Sequence, residues 1–448
     1  MILINARRTA ASIVASLTIF GLGTSGLVQA TEIVAVPQRP SSGPVFAPLR
    51  SASSVSANTL QSQVAHFWSD TRLSKNVSAL VVDASTGAVL LDRNSDVGMT
   101  PASTIKLVTA AAAIEELGAT TRFTTKVTRA GNVFTLVGGG DPTLTSRLSS
   151  KWRGKPAGVE RPRSLDELAA LTAAAIGPQS SEVIVNVDTS YFSGRPVAAS
   201  WRSSYVASGF VAPVTGLTVD FGVAKNGQPL SDPAQFAGKY FVAALKSRGI
   251  VAKFGKKSTS AADATLVAQV ESATVIDVVE RMLTTSNNTI AEYLAHHVGR
   301  ASGDSSFDGS ARAVIESVSS LGIETKNLKL YDGSGLSKQD RASAQTLVDT
   351  LFLAQHDQPQ LWPILSGLPI AGVSGTLSHR YPRHAQGRGY VQAKTGTLSG
   401  VVSLAGTVVD KGGNLMIFAL MANKVADDYS AEVALDSLVQ AFAECGCR

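Results

Sequence analysis

Apolar positions recur along the chain with two different periods, and the changes of period mark its organisation. Leu60, Val64 and Phe67 fall at helical spacing and open the ordered part. Residues 77–83 and 88–92 are short β-rich runs on either side of Ser85-Thr86-Gly87, which predicts two strands joined by a turn. Residues 104–117 follow a helical period and are stopped by Gly118. From 121 to 265, short β-like runs such as 182–187 alternate with helical patterns such as 165–171, among frequent Gly, Pro, Ser and Asp. Helical periodicity returns over 275–283, 289–298, 311–321 and 346–355. Residues 389–398, 401–409 and 415–422 alternate like antiparallel strands, with a turn at 411–414. A last helix over 430–443 puts Leu435, Leu438, Val439 and Phe442 on one face as a core stripe.

Two strands near the start and three near the end predict one antiparallel sheet built from both ends of the chain and flanked by helices, an α+β fold. Its expected segments are 58–120 and 271–448. Residues 121–270 read as an inserted, β-rich accessory region of one or two small subdomains. Ahead of the fold, Arg7-Arg8 precede an apolar run over about 10–28, and Val28-Gln29-Ala30 offers small residues for cleavage. Residues 1–30 are thus expected to be an export signal, with an uncleaved anchor as the rival. Residues 31–57, rich in Pro, Ser, Ala and Val, read as a linker.

Composition narrows the function. With 44% hydrophobic and 17% charged residues among 448, the chain can build a large core. Loss of the leader with its two arginines takes the formal charge from +6 to +4, too mild to argue for a nucleic-acid partner. The two cysteines, Cys445 and Cys447, are candidates for a disulfide in an oxidising compartment. The six histidines show no ligand spacing, so no metal is expected.

Three short strings carry the chemistry. In Ser103-Thr104-Ile105-Lys106 a cation stands where a helix start favours anions, so the neutral amine is favoured and can take a proton from the serine hydroxyl. Spacing of three puts both side chains on one face. The Ser103 N–H is also a candidate oxyanion donor. Ser286-Asn287-Asn288 lies between two helical patterns. Thr289-Ile290-Ala291-Glu292 reads as a capping box of its own, leaving the Ser286 hydroxyl to pass a proton to a leaving amine and the Asn288 amide to hold substrate and Lys106. In Lys394-Thr395-Gly396-Thr397 the two threonines can bind a substrate carboxylate beside the lysine cation. Gly396 is expected to let a substrate backbone lie close, as another strand, and the Thr397 N–H to complete the oxyanion hole.

In this order the strings resemble the S-x-x-K serine acyltransferases, that is, the penicillin-binding proteins and serine β-lactamases. The intervals, 183 residues from Ser103 to Ser286 and 108 from Ser286 to Lys394, narrow the choice. The first is too long for a compact β-lactamase and contains no clear deacylating Glu-x-x-x-Asn element. The chain is similar over about 60–443 to the D-alanyl-D-alanine carboxypeptidase/endopeptidase family called class C low-molecular-mass penicillin-binding proteins, which carry extra domains between the first two motifs. Further strings that resemble that family are 138–144 (Gly-Gly-Gly-Asp-Pro-Thr-Leu), 187–192 (Val-Asp-Thr-Ser-Tyr-Phe) and 332–337 (Asp-Gly-Ser-Gly-Leu-Ser).

The resemblance implies a β-lactamase/transpeptidase-like domain, a Ser103 acyl-enzyme, peptidoglycan stem peptides as substrate, β-lactams as covalent inhibitors, no cofactor and a place outside the cytoplasm. A Ser-His-Asp hydrolase using His379 or His384 is a weaker alternative, since no G-x-S-x-G elbow is present. A wall-binding scaffold with poor turnover is another. The three extra strings read as turns, strand ends and a cleft border, and stay outside the candidate catalytic set.

Overall fold

The computed structural model describes residues 55–149, 161–177, 181–356 and 358–446. The export signal, most of the linker and Cys447, with its pairing to Cys445, lie outside them.

Two five-stranded sheets organise these residues. The first has the order β2-β1-β10-β9-β8 and is antiparallel throughout. Its strands are β1 (Asn76–Asp83), β2 (Val89–Arg93), β8 (Val391–Leu398), β9 (Val401–Val409) and β10 (Leu415–Asn423). The central strands are buried at nearly every position, not at alternate ones, because both faces are covered. Val81, Val402, Leu404 and Phe418 face a core closed by α1 (Ala57–Val64) and α11 (Asp428–Glu444). Leu80, Val82, Ile417 and Met421 face the larger core beneath the other helices.

That larger core is built around α2 (Lys106–Leu117), which is buried from Lys106 to Ile114. The run Ala110-Ala111-Ala112-Ala113 has no side chains large enough to hold neighbours away. Four helices therefore pack closely on α2: α6 (Val275–Thr285), α7 (Asn288–Ala301), α8 (Phe307–Ser320) and α9 (Ala344–Gln355). Each large aliphatic side chain buried here contributes about 1.5–3 kcal/mol.

The second sheet has the order β6-β5-β4-β3-β7. It comprises β3 (Arg122–Ala130), β4 (Val133–Val137), β5 (Val183–Asp188), β6 (Ala252–Lys257) and β7 (Thr265–Thr274). β4–β5 and β5–β6 are parallel, a crossover geometry that needs the helices α3 (Leu165–Ile176) and α5 (Pro233–Lys246) on its face. Between β5 and α5 lies a segment with one short helix, α4 (Ser204–Ala207). Its Phe192, Trp201 and Tyr205 share a small core with Tyr293 of α7, Phe307 of α8 and Leu336. A further short helix, α10 (Pro363–Ser366), sits against α6 and α9.

Candidate active site

All three motifs meet where β8, the start of α2 and the α6–α7 junction converge. Ser103 sits in a 3-10 turn, Ala102–Ile105, that leads straight into α2. No side chain caps this helix start, and Lys106 is its first residue. Ala102 adopts a positive φ of 48° and Ser286 one of 54°, costly for residues with a Cβ and tolerated where the surroundings hold them.

Lys106 is completely buried and donates three hydrogen bonds: to Ser103 Oγ (2.8 Å), to Asn288 Oδ1 (2.7 Å) and to the carbonyl of Ser334 (2.6 Å). Burial pushes it down to about 7, while Asp332, Glu292 and Asp340 pull the other way. An amine with that value beside a hydroxyl is a competent base near neutral pH. Lys394 is equally buried and donates to Ser286 Oγ at 2.7 Å and to the Thr395 carbonyl at 2.8 Å. Burial, with the Lys106 charge second, holds it well below the usual ammonium range. Both effects act against the ammonium form of Lys394. A substrate carboxylate beside Thr395 would raise it again.

The α6–α7 junction corrects one expectation. Thr289 and Glu292 form no capping box. Asn287 is the N-cap of α7, accepting from the Ile290 N–H at 2.9 Å. Thr289 Oγ1 accepts instead from the Ala212 N–H, and Glu292 is wholly buried, its Oε2 accepting from the Gly333 N–H at 3.1 Å. The consequence for Asn288 is unchanged. Its Nδ2 donates to the Phe210 carbonyl at 2.9 Å, which turns Oδ1 toward Lys106.

Gly396 has a role that its sequence context does not show. A Cβ on it would meet Ser403 Oγ at 2.2 Å, Pro101 O at 2.8 Å and Ser103 N at 2.9 Å. The space a side chain would need is taken by Ser403 and the Ser103 turn. Thr395 and Thr397 lie on the opposite face of the strand. Ala393 N–H points away from β9, to Pro369 O at 3.0 Å, so by alternation the N–H groups of Thr395 and Thr397 also face the outer edge of β8. Ser103 N lies against Gly396, the residue that precedes Thr397 on this strand. Thr376 Oγ1 is 2.8 Å from Thr395 Oγ1, and Thr397 Oγ1 donates to Glu432 Oε1 at 2.5 Å.

Sequence reasoning missed four members of this neighbourhood. Thr376 and Glu432 flank the Lys-Thr-Gly strand, and nothing in their local sequence marks them. The Ser334 carbonyl and the carboxylate of Asp332 belong to the 332–337 string that was set aside. Its fit is tight: Gly335, at φ +80°, would place a Cβ 2.0 Å from Ala102 O. His379 and His384 have no hydrogen bond to Ser103, whose side-chain partner is Lys106. Cys445 is buried at the end of α11. No group of metal-ligating side chains occurs among the described residues.

Fold and site together define a serine acyl-transfer enzyme of the S-x-x-K type. The chain belongs to the D-Ala-D-Ala carboxypeptidase 3 (S13) family, whose sequence model matches residues 60–228 and 227–444. It is accordingly a serine-type D-Ala-D-Ala peptidase. A carboxypeptidase DacB of Mycolicibacterium smegmatis is 35% identical over 83% of this chain and 81% of the relative. A D-alanyl-D-alanine carboxypeptidase of an Actinomadura species is 29% identical over 90% of this chain and 88% of the relative. Penicillin-binding protein 4 of Haemophilus influenzae has the same fold, with a TM-score of 0.70 at 20% identity over 88% of this chain and 100% of that one.

Proposed function

We propose that Ser103 is the nucleophile of a D,D-peptidase acting on the D-Ala-D-Ala ends, and on D,D-cross-links, of peptidoglycan stem peptides. Lys106 takes the Ser103 proton as Oγ attacks the penultimate D-Ala carbonyl. The N–H groups of Ser103 and Thr397 hold the oxyanion. Ser286 hands a proton to the departing amine and is resupplied through Lys394. Thr395, backed by Thr376, receives the terminal carboxylate, and the Asn288 amide keeps Lys106 in place. Water then releases the acyl group, with Lys106 again as base, giving the shortened stem and free D-alanine.

β-Lactams present an acyl group of the same geometry and would acylate Ser103. The catalytic unit is 58–120 with 271–448, residues 121–270 being inserted into it. The chain acts outside the cytoplasm after export by residues 1–30. Among the described residues no helix is long and apolar enough to cross a membrane.

The observation that carries this reading is the pair of buried amines, each bonded to the hydroxyl of a different motif. Intact-protein mass spectrometry with benzylpenicillin tests it. One adduct per chain, mapped to the Ser103 peptide and absent from Ser103→Ala, is the expected result. A well-folded wild type that takes no adduct would refute it.

A further inference from the structure

The α4-containing segment of the insertion reaches the catalytic lysine through a buried carboxylate. Asp332 accepts four hydrogen bonds: from the N–H groups of Ser334 (3.2 Å), Gly335 (2.7 Å) and Ser337 (2.7 Å), and from the Trp201 indole Nε1–H (2.7 Å). It is only 3% exposed, and no cation lies in contact with it among the described residues. The 332–337 loop is therefore wrapped around a charge that N–H dipoles hold in place. On its other side the loop is fastened to the site: Gly333 O accepts from Thr109 Oγ1 at 2.7 Å, and Ser334 O accepts from Lys106 at 2.6 Å.

We propose that Asp332 is a positioning residue for acylation, setting both the place and the charge of Lys106, and that the insertion governs it through Trp201. This rests on the reading of Ser103 as nucleophile and Lys106 as its base.

The titratable groups facing Lys106 are Glu292 of α7, Asp332 and Asp340 of the loop region, and Lys394 of β8. Glu292 is pushed up to about 8 by burial and by Asp332. Asp340 is raised well above the carboxylate range by burial and by the same neighbour. Its Oδ2 has no hydrogen-bond partner among the described residues. Glu292 and Asp340 are thus shifted toward their neutral forms, and the negative charge that the loop's N–H donors are arranged to hold is that of Asp332. That charge stabilises the ammonium form of Lys106, so its removal lowers the pH at which Lys106 becomes a base. Trp201 also packs edge-on against Phe307 at 5.2 Å, so Trp201→Phe can keep the ring contact while deleting the donor.

The experiment is the rate of acylation by nitrocefin from pH 5 to 10, measured on the purified protein and three variants. Asp332→Asn should move the acidic limb down by roughly 1 pH unit, the smaller end of the usual effect of a nearby opposite charge. A uniform loss with an unmoved limb would make Asp332 structural only and overturn the assignment. Trp201→Phe should slow acylation about three- to tenfold, the worth of one buried hydrogen bond. Added to Asp332→Asn it should cost nothing more, and equal losses in both backgrounds would overturn the coupling. Should Asp332→Asn not fold, Trp201→Phe decides alone: an unchanged rate and profile refute the proposal. A wild type that takes no adduct fails the acylation reading itself, which is a different result from any of these.

Discussion

Gly396→Ala tests whether the Lys-Thr-Gly strand is shaped by its substrate or by the serine turn behind it. The new methyl lands 2.2 Å from Ser403 Oγ, which donates to Pro101 O at 2.6 Å, and within 2.9 Å of backbone atoms of Pro101 and Ser103. The hydroxyl can rotate away at the loss of its hydrogen bond, about 1 kcal/mol. The two backbone contacts cannot be relieved by a rotamer. They require β8 or the turn to move, an overpacking cost of roughly 1–3 kcal/mol. The sum, about 2–4 kcal/mol, lowers the melting temperature by roughly 2–5 °C. Because that movement shifts the Ser103 turn against the Lys-Thr-Gly strand, acylation by a small β-lactam should fall by roughly tenfold to a hundredfold. Adding Ser403→Ala removes the closest contact and should restore part of the stability but not the rate. If Gly396→Ala melted like wild type, reacted normally with nitrocefin and failed only on peptide substrates, the glycine would be serving the substrate and the reasoning would be wrong.

Other outcomes follow from the same geometry. Acylation should rise as pH increases through about 7, because Lys106 must lose its proton before it can take one from Ser103; a flat profile from pH 5 to 9 would remove Lys106 as base. Ser286→Ala deletes the 2.7 Å partner of Lys394 and should slow acylation about 10²- to 10⁴-fold while leaving the melting temperature within a few degrees. His297, pushed down to about 3 by burial, stays neutral in the fold while the unfolded chain binds a proton below about 6.5. It therefore makes stability fall as pH drops from about 6.5 toward 4. His297→Phe can retain the stacking on Phe123, loses the bond to Gly140 O, and should melt lower at pH 7 but with a shallower acid slope.

Periodicity located the helices and strands of the first sheet because those elements have one strong demand each. The expected strand over 401–409 is β9, and the expected helix stop at Gly118 is the C-cap of α2, at φ +80°. The parallel pairs of the second sheet were not legible, since a buried parallel strand and a short antiparallel one leave the same apolar run. Within the site, Ser103, Lys106, Ser286, Asn288 and Lys394 were readable as contiguous motifs. Asp332 was not, because its importance lies in four N–H groups that only the folded loop and a distant tryptophan bring to it. Glu292 was misread for a related reason: three residues after a threonine it fits a surface capping pattern, yet it points into the core.

The first sheet has a consequence for when this protein can become itself. β1 pairs along its whole length with β10, Asn76 opposite Asn423, so its inner edge stays unsatisfied until residue 423 has been made. The second sheet closes within residues 122–274 and has no such wait. The entropy of closing so long a loop grows only logarithmically, so the final structure suffers little from it. Kinetics suffer more: a ribosome-bound or translocating chain carries β1 as an open, apolar edge, a template for wrong partners. Nor can a chain cut short of these strands have partial activity, since Lys394 lies on β8 and β10 joins β9 to β1. Reactivity is thereby deferred until the strand ending at Asn423 has been made.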